Sequence, residues 1–219
     1  MSGKILGISG SPVKEGNVQV FLEKMVGAVP AGTFAHETVH LSEYRVEDCI
    51  HCNFCLGKQK EGRYCALKDD AQEIFEKVES ADIIVLASPV YFMRTSARMA
   101  ALLDRLRVFI FGNLTRGRLR NKIGASAAVA WLRNGGAETT HLSHLYAFMT
   151  LEMIPVSVHK GVSPLGASAM ASPHGEGAFD PAVKLGALED AAGLHSAEAI
   201  MKRAVELHRL IRRPEEKGA

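Results

Sequence analysis

One stretch decides the fold: Lys4-Ile-Leu-Gly-Ile-Ser9-Gly10-Ser11-Pro12-Val-Lys-Glu-Gly16-Asn17. Its apolar first half gives way to glycine and hydroxyl-bearing residues, and apolar residues at helical spacing follow from Val18. This order predicts a β-strand, a tight loop and the start of a helix. The first N–H groups of a helix lack internal partners and its dipole favours anions, so the loop predicts a phosphate site.

The loop does not match the two common phosphate motifs. No Gly-Lys-Ser/Thr ends it, as a P-loop requires, and the dinucleotide pattern G-x-G-x-x-G is absent. Ser9, Ser11 and Asn17 supply side-chain donors, so we expect a phosphate monoester held by amides and hydroxyls and not by basic side chains. The alternative is an ordinary strand–helix turn rich in small residues.

Composition excludes several classes of protein. The chain has 219 residues and a formal net charge of +2, whereas a dedicated nucleic-acid binder is usually strongly basic. No apolar run is long enough to span a membrane, and the first residues lead directly into a strand without the pattern of a signal peptide. We therefore expect a cytoplasmic protein with neither membrane nor nucleic-acid partners.

Apolar periodicity predicts strands alternating with helices along the chain. The predicted strands after the first cover residues 33–41, 82–87, 122–130 and 155–159, and the predicted helices begin near residues 18, 71, 97, 138 and 181. Thr95 or Ser96 is expected to cap the third of these helices. Residues 161–179, rich in Gly, Ser, Ala and Pro, are expected to form a long loop. The alternation predicts a parallel sheet with helices on both faces.

Three predicted strands end in small or polar loops, at residues 9–17, 88–92 and 131–136. In a parallel sheet the carboxyl ends of the strands share one edge, where ligands bind, so these loops are expected to line one pocket. Tyr91, Phe92 and Trp131 offer flat surfaces for an aromatic ring, with ordinary packing as the alternative role.

Three groups of residues carry a resemblance to a known family. They are Gly7-Ile-Ser9-Gly10-Ser11-Pro12 with Gly16-Asn17, then Ala81-Asp82-Ile-Ile-Val-Leu-Ala-Ser88-Pro89-Val90-Tyr91, and the four cysteines that run into Lys68-Asp69-Asp70. Over residues 3–160 the chain resembles the flavodoxin-like NAD(P)H-dependent FMN reductases, and more closely the iron–sulfur flavoproteins among them.

The resemblance implies an α/β fold, a flavodoxin-like doubly wound five-stranded parallel sheet of order 2-1-3-4-5. Residues 1–160 would form the FMN-binding domain, with a cysteine-rich insertion after strand 2. Residues 161–219 would add a C-terminal loop and helix to the same domain. The implied FMN contacts are Ser9, Ser11, Pro12, Asn17, Val18, Ser88, Pro89, Val90, Tyr91, Phe92, Trp131, Arg133, Asn134, Gly135 and Gly136. Arg94 and Arg133 suit the phosphates of a nicotinamide cofactor or a solvated surface equally well.

The cysteines follow the spacing Cys49-x2-Cys52-x2-Cys55-x9-Cys65. Three thiolates at steps of three suit one face of a [4Fe–4S] cluster, and a fourth closes it. The last gap is longer than is usual in the iron–sulfur flavoproteins that this segment resembles. Free thiols, zinc and disulfides are the alternatives.

The resulting hypothesis is an FMN-dependent oxidoreductase. It would take electrons from NAD(P)H or a ferredoxin-like donor and pass them to a small-molecule or protein acceptor, without a catalytic side-chain acid or base. The alternatives are a non-catalytic electron carrier and a flavin-free domain. The resemblance also implies a homodimer or homotetramer. His141 and His144 are interpreted as part of a polar helix face in preference to half of a metal site.

Overall fold

The computed structural model describes residues 3–30, 32–159 and 163–212. The strands are β1 (Gly3–Ser9), β2 (Phe34–His40), β3 (Ile83–Pro89), β4 (Ile123–Ala130), β5 (Ile154–Pro155) and β6 (Ala167–Met170). The helices are α1 (Asn17–Gly27), α2 (Phe54–Gly57), α3 (Ala71–Ser80), α4 (Ala97–Arg105), α5 (Val108–Phe111), α6 (Ala137–Thr150), α7 (Gly186–Glu189) and α8 (Ala191–Ile211). Across these three ranges, none of the helices is both long and apolar enough to cross a lipid bilayer.

The sheet has the predicted flavodoxin-like order, β2-β1-β3-β4-β5, with every named pair parallel. Alternate residues of the central strands enter different cores, as in a sheet covered on both sides. Ile83 and Val85 pack with α1 and α8, whereas Ile84 and Leu86 pack with α3, α4 and α6. The doubly wound architecture is therefore confirmed.

The sequence predicted one strand, at residues 155–159, next to β4, whereas the structure has two short strands there. Here β5 is only two residues long and pairs with the beginning of β4, whereas β6 pairs with its end, Ala127 opposite Ala167. The predicted loop over residues 161–179 therefore contains a strand, of which residues 161 and 162 lie outside the described residues. Ala167, Ser168 and Ala169 are small residues with weak strand propensity, so this segment is a strand because it pairs with β4.

Of two helix starts predicted from the sequence, one is confirmed and the other is wrong. Ser96, one of the two predicted caps, accepts a hydrogen bond from the Met99 N–H at the start of α4. The helix predicted from residue 181 begins later, at Gly186, and is divided at Asp190, which caps α8 by accepting from the Gly193 N–H. Arg213, the end of that prediction, lies outside the described residues.

The interpretation of His141 and His144 as a polar helix face is wrong, because both side chains are fully buried. Their Nδ1 atoms lie 2.7 and 2.8 Å from the Ser126 hydroxyl on β4. The His141 Nε2 atom meets the Ser168 hydroxyl on β6 at 2.8 Å, and the His144 Nε2 atom meets the Thr95 hydroxyl at 3.1 Å. This chain of five polar side chains joins α6 to the sheet and to the loop before α4.

This series of hydrogen bonds requires opposite tautomers of the two histidines. Burial lowers the pKa of His141 to about 4 and that of His144 to about 3, so both rings are neutral near pH 7. The Ser126 hydroxyl has one proton and donates to only one Nδ1 atom; the other ring donates its own Nδ1–H to the same oxygen. The hydrogen bonds thus run in one direction from end to end.

Acid is expected to destabilise the fold through these histidines. In the unfolded chain they take up protons below about pH 6.5, whereas in the folded protein they stay neutral down to about pH 4 and 3. Stability is therefore lost as pH falls from about 6.5, at up to about 1.4 kcal/mol per pH unit for each ring. Urea unfolding of His144→Gln between pH 7 and 5 should show a flatter pH dependence than the parent, whereas the exposed-site control His195→Gln should not. An unchanged slope in His144→Gln would contradict this assignment.

Candidate functional site

The carboxyl ends of β1, β3 and β4 meet at one edge of the sheet. Ser9 pairs with Ala87, and Pro89 pairs with Val129, so the three strands end at nearly the same level. A pocket of about 500 Å³ opens there. This is the edge at which parallel α/β sheets bind ligands, which makes the pocket the candidate site.

The pocket brings together part of the predicted residue set. Lining residues that were predicted are Ser11, Asn17, Val18, Pro89, Val90, Tyr91 and Trp131. Predicted residues that do not line it are Ser9, Pro12, Ser88, Phe92, Arg133, Asn134, Gly135 and Gly136. The loops after β1, β3 and β4 therefore converge as expected, although only some of the residues predicted in each loop line the pocket.

The hydroxyls of Ser9 and Ser88 are used inside the loops. Ser9 accepts from the Ser11 N–H, and Ser88 accepts from the Ser96 N–H at 2.9 Å. The Ser96 hydroxyl in turn donates to the Gly10 carbonyl at 2.7 Å and so ties the loop after β3 to the loop after β1. A Cβ atom at Gly10 would lie 2.7 Å from the Cβ of Met99, so the approach of the two loops requires glycine there.

The amino terminus of α1 borders the pocket and has no local cap. Gly16 provides no side-chain cap, and the first turn contains no acidic residue. Its backbone N–H groups and positive dipole end are therefore available to an anion. The Asn17 side-chain oxygen accepts from the Ala187 N–H at 2.9 Å and anchors the C-terminal segment. The donor predicted at Asn17 is the side-chain NH2 group, which this hydrogen bond does not use.

The C-terminal segment forms part of the pocket wall, which sequence reasoning missed. Ala171, Lys184 and Leu185 line the pocket together with Lys14 from the first loop. Basic side chains are thus available beside the helix terminus, whereas only amides and hydroxyls were expected. No local pattern marks Lys184 as a site residue, since more than 150 residues separate it from the loop that it joins.

Aromatic side chains lie at the mouth of the pocket. Tyr91 and Trp131 line it and are each nearly half exposed. Phe92 instead projects from the loop tip with 97% of its surface exposed. Phe92 and Met93 both have positive φ in a tight turn closed by the Tyr91–Arg94 backbone pair. Such turns favour glycine or asparagine, so this tip stores backbone strain beside the pocket.

The fourth strand loop is turned towards the C-terminal segment. The Arg133 guanidinium donates to the His174 carbonyl at 2.8 Å, and the Trp131 indole N–H donates to the Gly177 carbonyl at 2.9 Å. These contacts explain why Arg133 does not line the pocket, and they hold Trp131 at its mouth. Gly136 has a φ of +103° and a Cβ there would lie 2.5 Å from the Met93 Cα, so glycine is required for the loops to meet.

The four cysteines are unpaired and lie around α2 and the irregular segments that flank it. Among the described residues, no three ligating side chains are close enough together to hold one metal ion. Burial raises the pKa of the Cys55 thiol, and the Arg107 charge partly opposes that rise. His51 and Asn53, on either side of Cys52, both have positive φ, a backbone form that is common in anion-binding nests and iron–sulfur loops.

A buried ion pair closes the base of the cysteine segment. The Arg105 guanidinium, 1% exposed, donates to both oxygens of Asp69 at 2.8 and 2.9 Å and to the Glu47 carbonyl at 2.8 Å. Asp69 also accepts from the Glu47 N–H, and these donors hold its pKa below the usual value although burial opposes this. The two ends of the segment are therefore clamped together beside the end of α4.

The long gap between Cys55 and Cys65 is an anchored excursion. Gln59, only 7% exposed, accepts from the Leu114 and Thr115 N–H groups and donates to the Tyr64 carbonyl. The backbone N–H of Gln59 donates to the side-chain oxygen of Asn113. Gln59 thus anchors the excursion to the segment after α5, while its neighbours in residues 57–62 remain exposed.

The NADPH-dependent FMN reductase family matches residues 3–164, which include every strand through β5. The chain belongs to this family.

Curated relatives of this FMN reductase family member include two archaeal iron–sulfur flavoproteins. One, from Methanocaldococcus jannaschii, is 33% identical over 210 residues and covers 96% of this chain and 100% of the relative. The other, from Archaeoglobus fulgidus, is 32% identical over 204 residues and covers 93% of this chain and 94% of the relative. These matches confirm the resemblance that the sequence motifs indicated.

Among solved structures, RosB with bound 8-demethyl-8-formylriboflavin-5'-phosphate aligns with a TM-score of 0.73 at 16% identity, covering 95% of this chain and 80% of RosB. A WrbA-like flavodoxin from Agrobacterium tumefaciens aligns with a TM-score of 0.60 at 12% identity, and the alignment covers 95% of this chain and 98% of the flavodoxin. At such identities these likenesses confirm the fold. With the family match, the chain is a flavin-dependent NAD(P)H oxidoreductase, and FMN is the cofactor that its family implies.

Proposed function

We propose that the pocket at the ends of β1, β3 and β4 binds FMN with its phosphate at the amino terminus of α1. The uncapped first turn carries this proposal, with Lys14 and Lys184 as additional cations at the same pocket. A pocket of about 500 Å³ suits a ligand of this size. Tyr91 and Trp131, at the mouth, would pack against the isoalloxazine ring.

Bound FMN would supply hydride and single-electron chemistry, so the chain's own residues would bind, orient and shield the cofactor. The hydrogen bond from Ser96 to Gly10 fixes the distance between the two loops that hold opposite ends of the ligand. The Thr95–His144 hydrogen bond fixes the same loop from the side of α6. Neither contact requires a side chain to exchange a proton with the flavin.

We also propose a [4Fe–4S] cluster held by Cys49, Cys52, Cys55 and Cys65. The donor set suits such a cluster, since thiolates are its preferred ligands. The buried Arg105 Nε–H has no hydrogen-bond partner among the described residues, and a negative charge on Cys65 raises the pKa of Arg105. An anionic sulfur at Cys65 would be a suitable acceptor for this donor.

Electrons would come from NAD(P)H or a reduced ferredoxin-like protein and pass to a small-molecule or protein acceptor in the cytoplasm. The iron–sulfur names of the relatives support single-electron transfer, and the FMN reductase match supports a nicotinamide donor. Steady-state NAD(P)H oxidation by the pure protein tests the enzyme. Negligible oxidation together with fast reduction by ferredoxin would favour a non-catalytic carrier instead.

We further propose that the chain forms a homodimer or homotetramer through the rim of this pocket. Phe92, Met93 and Phe179 are each more than half exposed, with Leu132 close to that level. Solvent-exposed apolar side chains of this size around one opening are typical of a surface that binds another protein.

Charge at residue 16 is expected to control FMN affinity. Gly16 has extended backbone angles, which suit Asp or Ser as helix caps equally well. Asp would place a carboxylate where the phosphate is proposed to bind, so Gly16→Asp should weaken FMN binding at least about tenfold relative to Gly16→Ser. Trp131 is the only tryptophan, so quenching of its fluorescence measures binding directly.

Riboflavin, which has no phosphate, is the ligand control for this pair of variants. Its affinity should be equal in Gly16→Asp and Gly16→Ser, and lower than that of FMN in the parent protein. Equal FMN affinity in the two variants would show that the phosphate does not bind at the start of α1.

The fourth cysteine is expected to be a cluster ligand despite the long gap before it. Protein purified without oxygen should contain about four iron and four sulfide per chain, and Cys65→Ser should retain much less iron while still binding FMN. Stoichiometric zinc, or an iron content unaffected by Cys65→Ser, would rule out this ligand set.

Phe92 is expected to contribute to subunit association. Replacing this exposed side chain by a charged one should favour monomers, so light scattering should give a lower mass for Phe92→Asp than for the parent. Phe111→Asp, at another exposed aromatic residue, is the control and should leave the mass unchanged. A monomeric parent protein would contradict the proposal.

A further inference from the structure

Two arginines at the junction of α4 and α5 face the cysteine segment. Arg105 is the last residue of α4, and Arg107 directly precedes α5. The Arg107 Nη1 atom lies within hydrogen-bonding distance of the Cys49 sulfur. Burial opposes ionisation of Arg105, but the negative charges of Cys65 and Asp69 raise its pKa. Cys49 and Cys65 are thus the thiols closest in influence to the two arginines. These are the first and last thiols of the motif, so the two guanidinium groups approach the set from both of its ends.

The Nε–H group of Arg105 is a donor that the ion pair with Asp69 does not use. The two terminal nitrogens of this side chain are engaged by Asp69 and by the Glu47 carbonyl, whereas its buried Nε–H has no partner among the described residues. A buried donor without an acceptor destabilises the folded protein. Besides Asp69, Cys65 is the group whose negative charge raises the pKa of Arg105, and its sulfur is an acceptor once the thiol is ionised.

Arg107 is oriented by two neutral contacts. Its Nη2 donates to the Asn53 side-chain oxygen at 3.1 Å, and its guanidinium lies over the Phe111 ring at 5.5 Å. Its Nη1 then lies 3.9 Å from the Cys49 sulfur. No carboxylate is among these contacts, so its charge is not neutralised by them, and it faces the position where a thiolate would stand.

Resting on the proposed cluster, we propose that Arg105 Nε and Arg107 Nη1 donate hydrogen bonds to the Cys65 and Cys49 thiolates and thereby raise the cluster's reduction potential. On reduction one electron enters, no bond forms or breaks, and the site gains one negative charge. Hydrogen bonds to sulfur and nearby positive charges favour that more negative state. The two arginines are positioning residues, since they act through the ligands.

Arg107→Gln is the main test, because Arg107 is only partly buried and its removal leaves the Arg105–Asp69 pair intact. Arg118→Gln is the matched control: it removes the same charge from the segment after α5, where Arg118 pairs with Glu79 and Glu61. Arg105→Lys keeps a cation for Asp69 but loses Nε; complete removal of that charge would leave Asp69 buried and unpaired.

The measurement is the midpoint potential of the cluster, from a dye-mediated titration followed by electron paramagnetic resonance, with iron and FMN contents determined in parallel. We expect Arg107→Gln and Arg105→Lys to have more negative midpoints than the parent, and Arg118→Gln to stay close to it. Loss of iron from Arg107→Gln but not from Arg118→Gln would also support the assignment, because unbalanced thiolates hold a cluster less well.

Unchanged midpoints in both test variants at full iron content would overturn the inference and leave the proposed function intact. Equal shifts in Arg107→Gln and Arg118→Gln would overturn it as well, since they would reflect general charge and not a donor at sulfur. A parent protein that binds FMN but never holds iron would instead refute the cluster part of the proposed function, and this inference with it.

Discussion

The parallel pairing of β1, β3 and β4 is the constraint on which the rest of the structure depends. Because these strands end at one level, three loops separated by many residues share one pocket. The N–H groups at the start of α1 face that pocket for the same reason, since α1 follows β1 through a short turn. The proposed anion binding at one end and aromatic packing at the mouth would both follow from where the strands stop.

A second constraint is the buried pair between Arg105 and Asp69. It joins the two ends of the cysteine segment, which leaves the sheet after β2 and returns before α3. Removing one member of such a pair costs about 3–5 kcal/mol, because the other charge is left buried and unpaired. This cost links the stability of the cysteine segment to the end of α4. Ser96, which caps the beginning of α4, in turn links that helix to the loops of the candidate pocket.

The sequence predicted local features well where one element carries its own signal. The apolar runs of β3 and β4, the cap at Ser96 and the loop before α1 are examples, because periodicity and capping chemistry are short-range. Features that depend on a distant partner were missed. Ala167–Met170 becomes a strand by pairing with β4. His141 and His144 are buried where the hydroxyls of Ser126 and Ser168 meet their rings. The contact of Asn17 with Ala187 holds the segment that places Lys184 at the pocket.

By itself, the sequence determined the fold class, the strand order through its family resemblance, the loops that meet at the sheet edge and the cysteine spacing. These are properties of single elements and of motifs read along the chain. Only the tertiary structure decided which side chains line the pocket, which hydroxyls are consumed inside the loops and which arginine carries an unused buried donor. Those outcomes depend on contacts between residues far apart in sequence, and such contacts form only when the sheet brings the elements together.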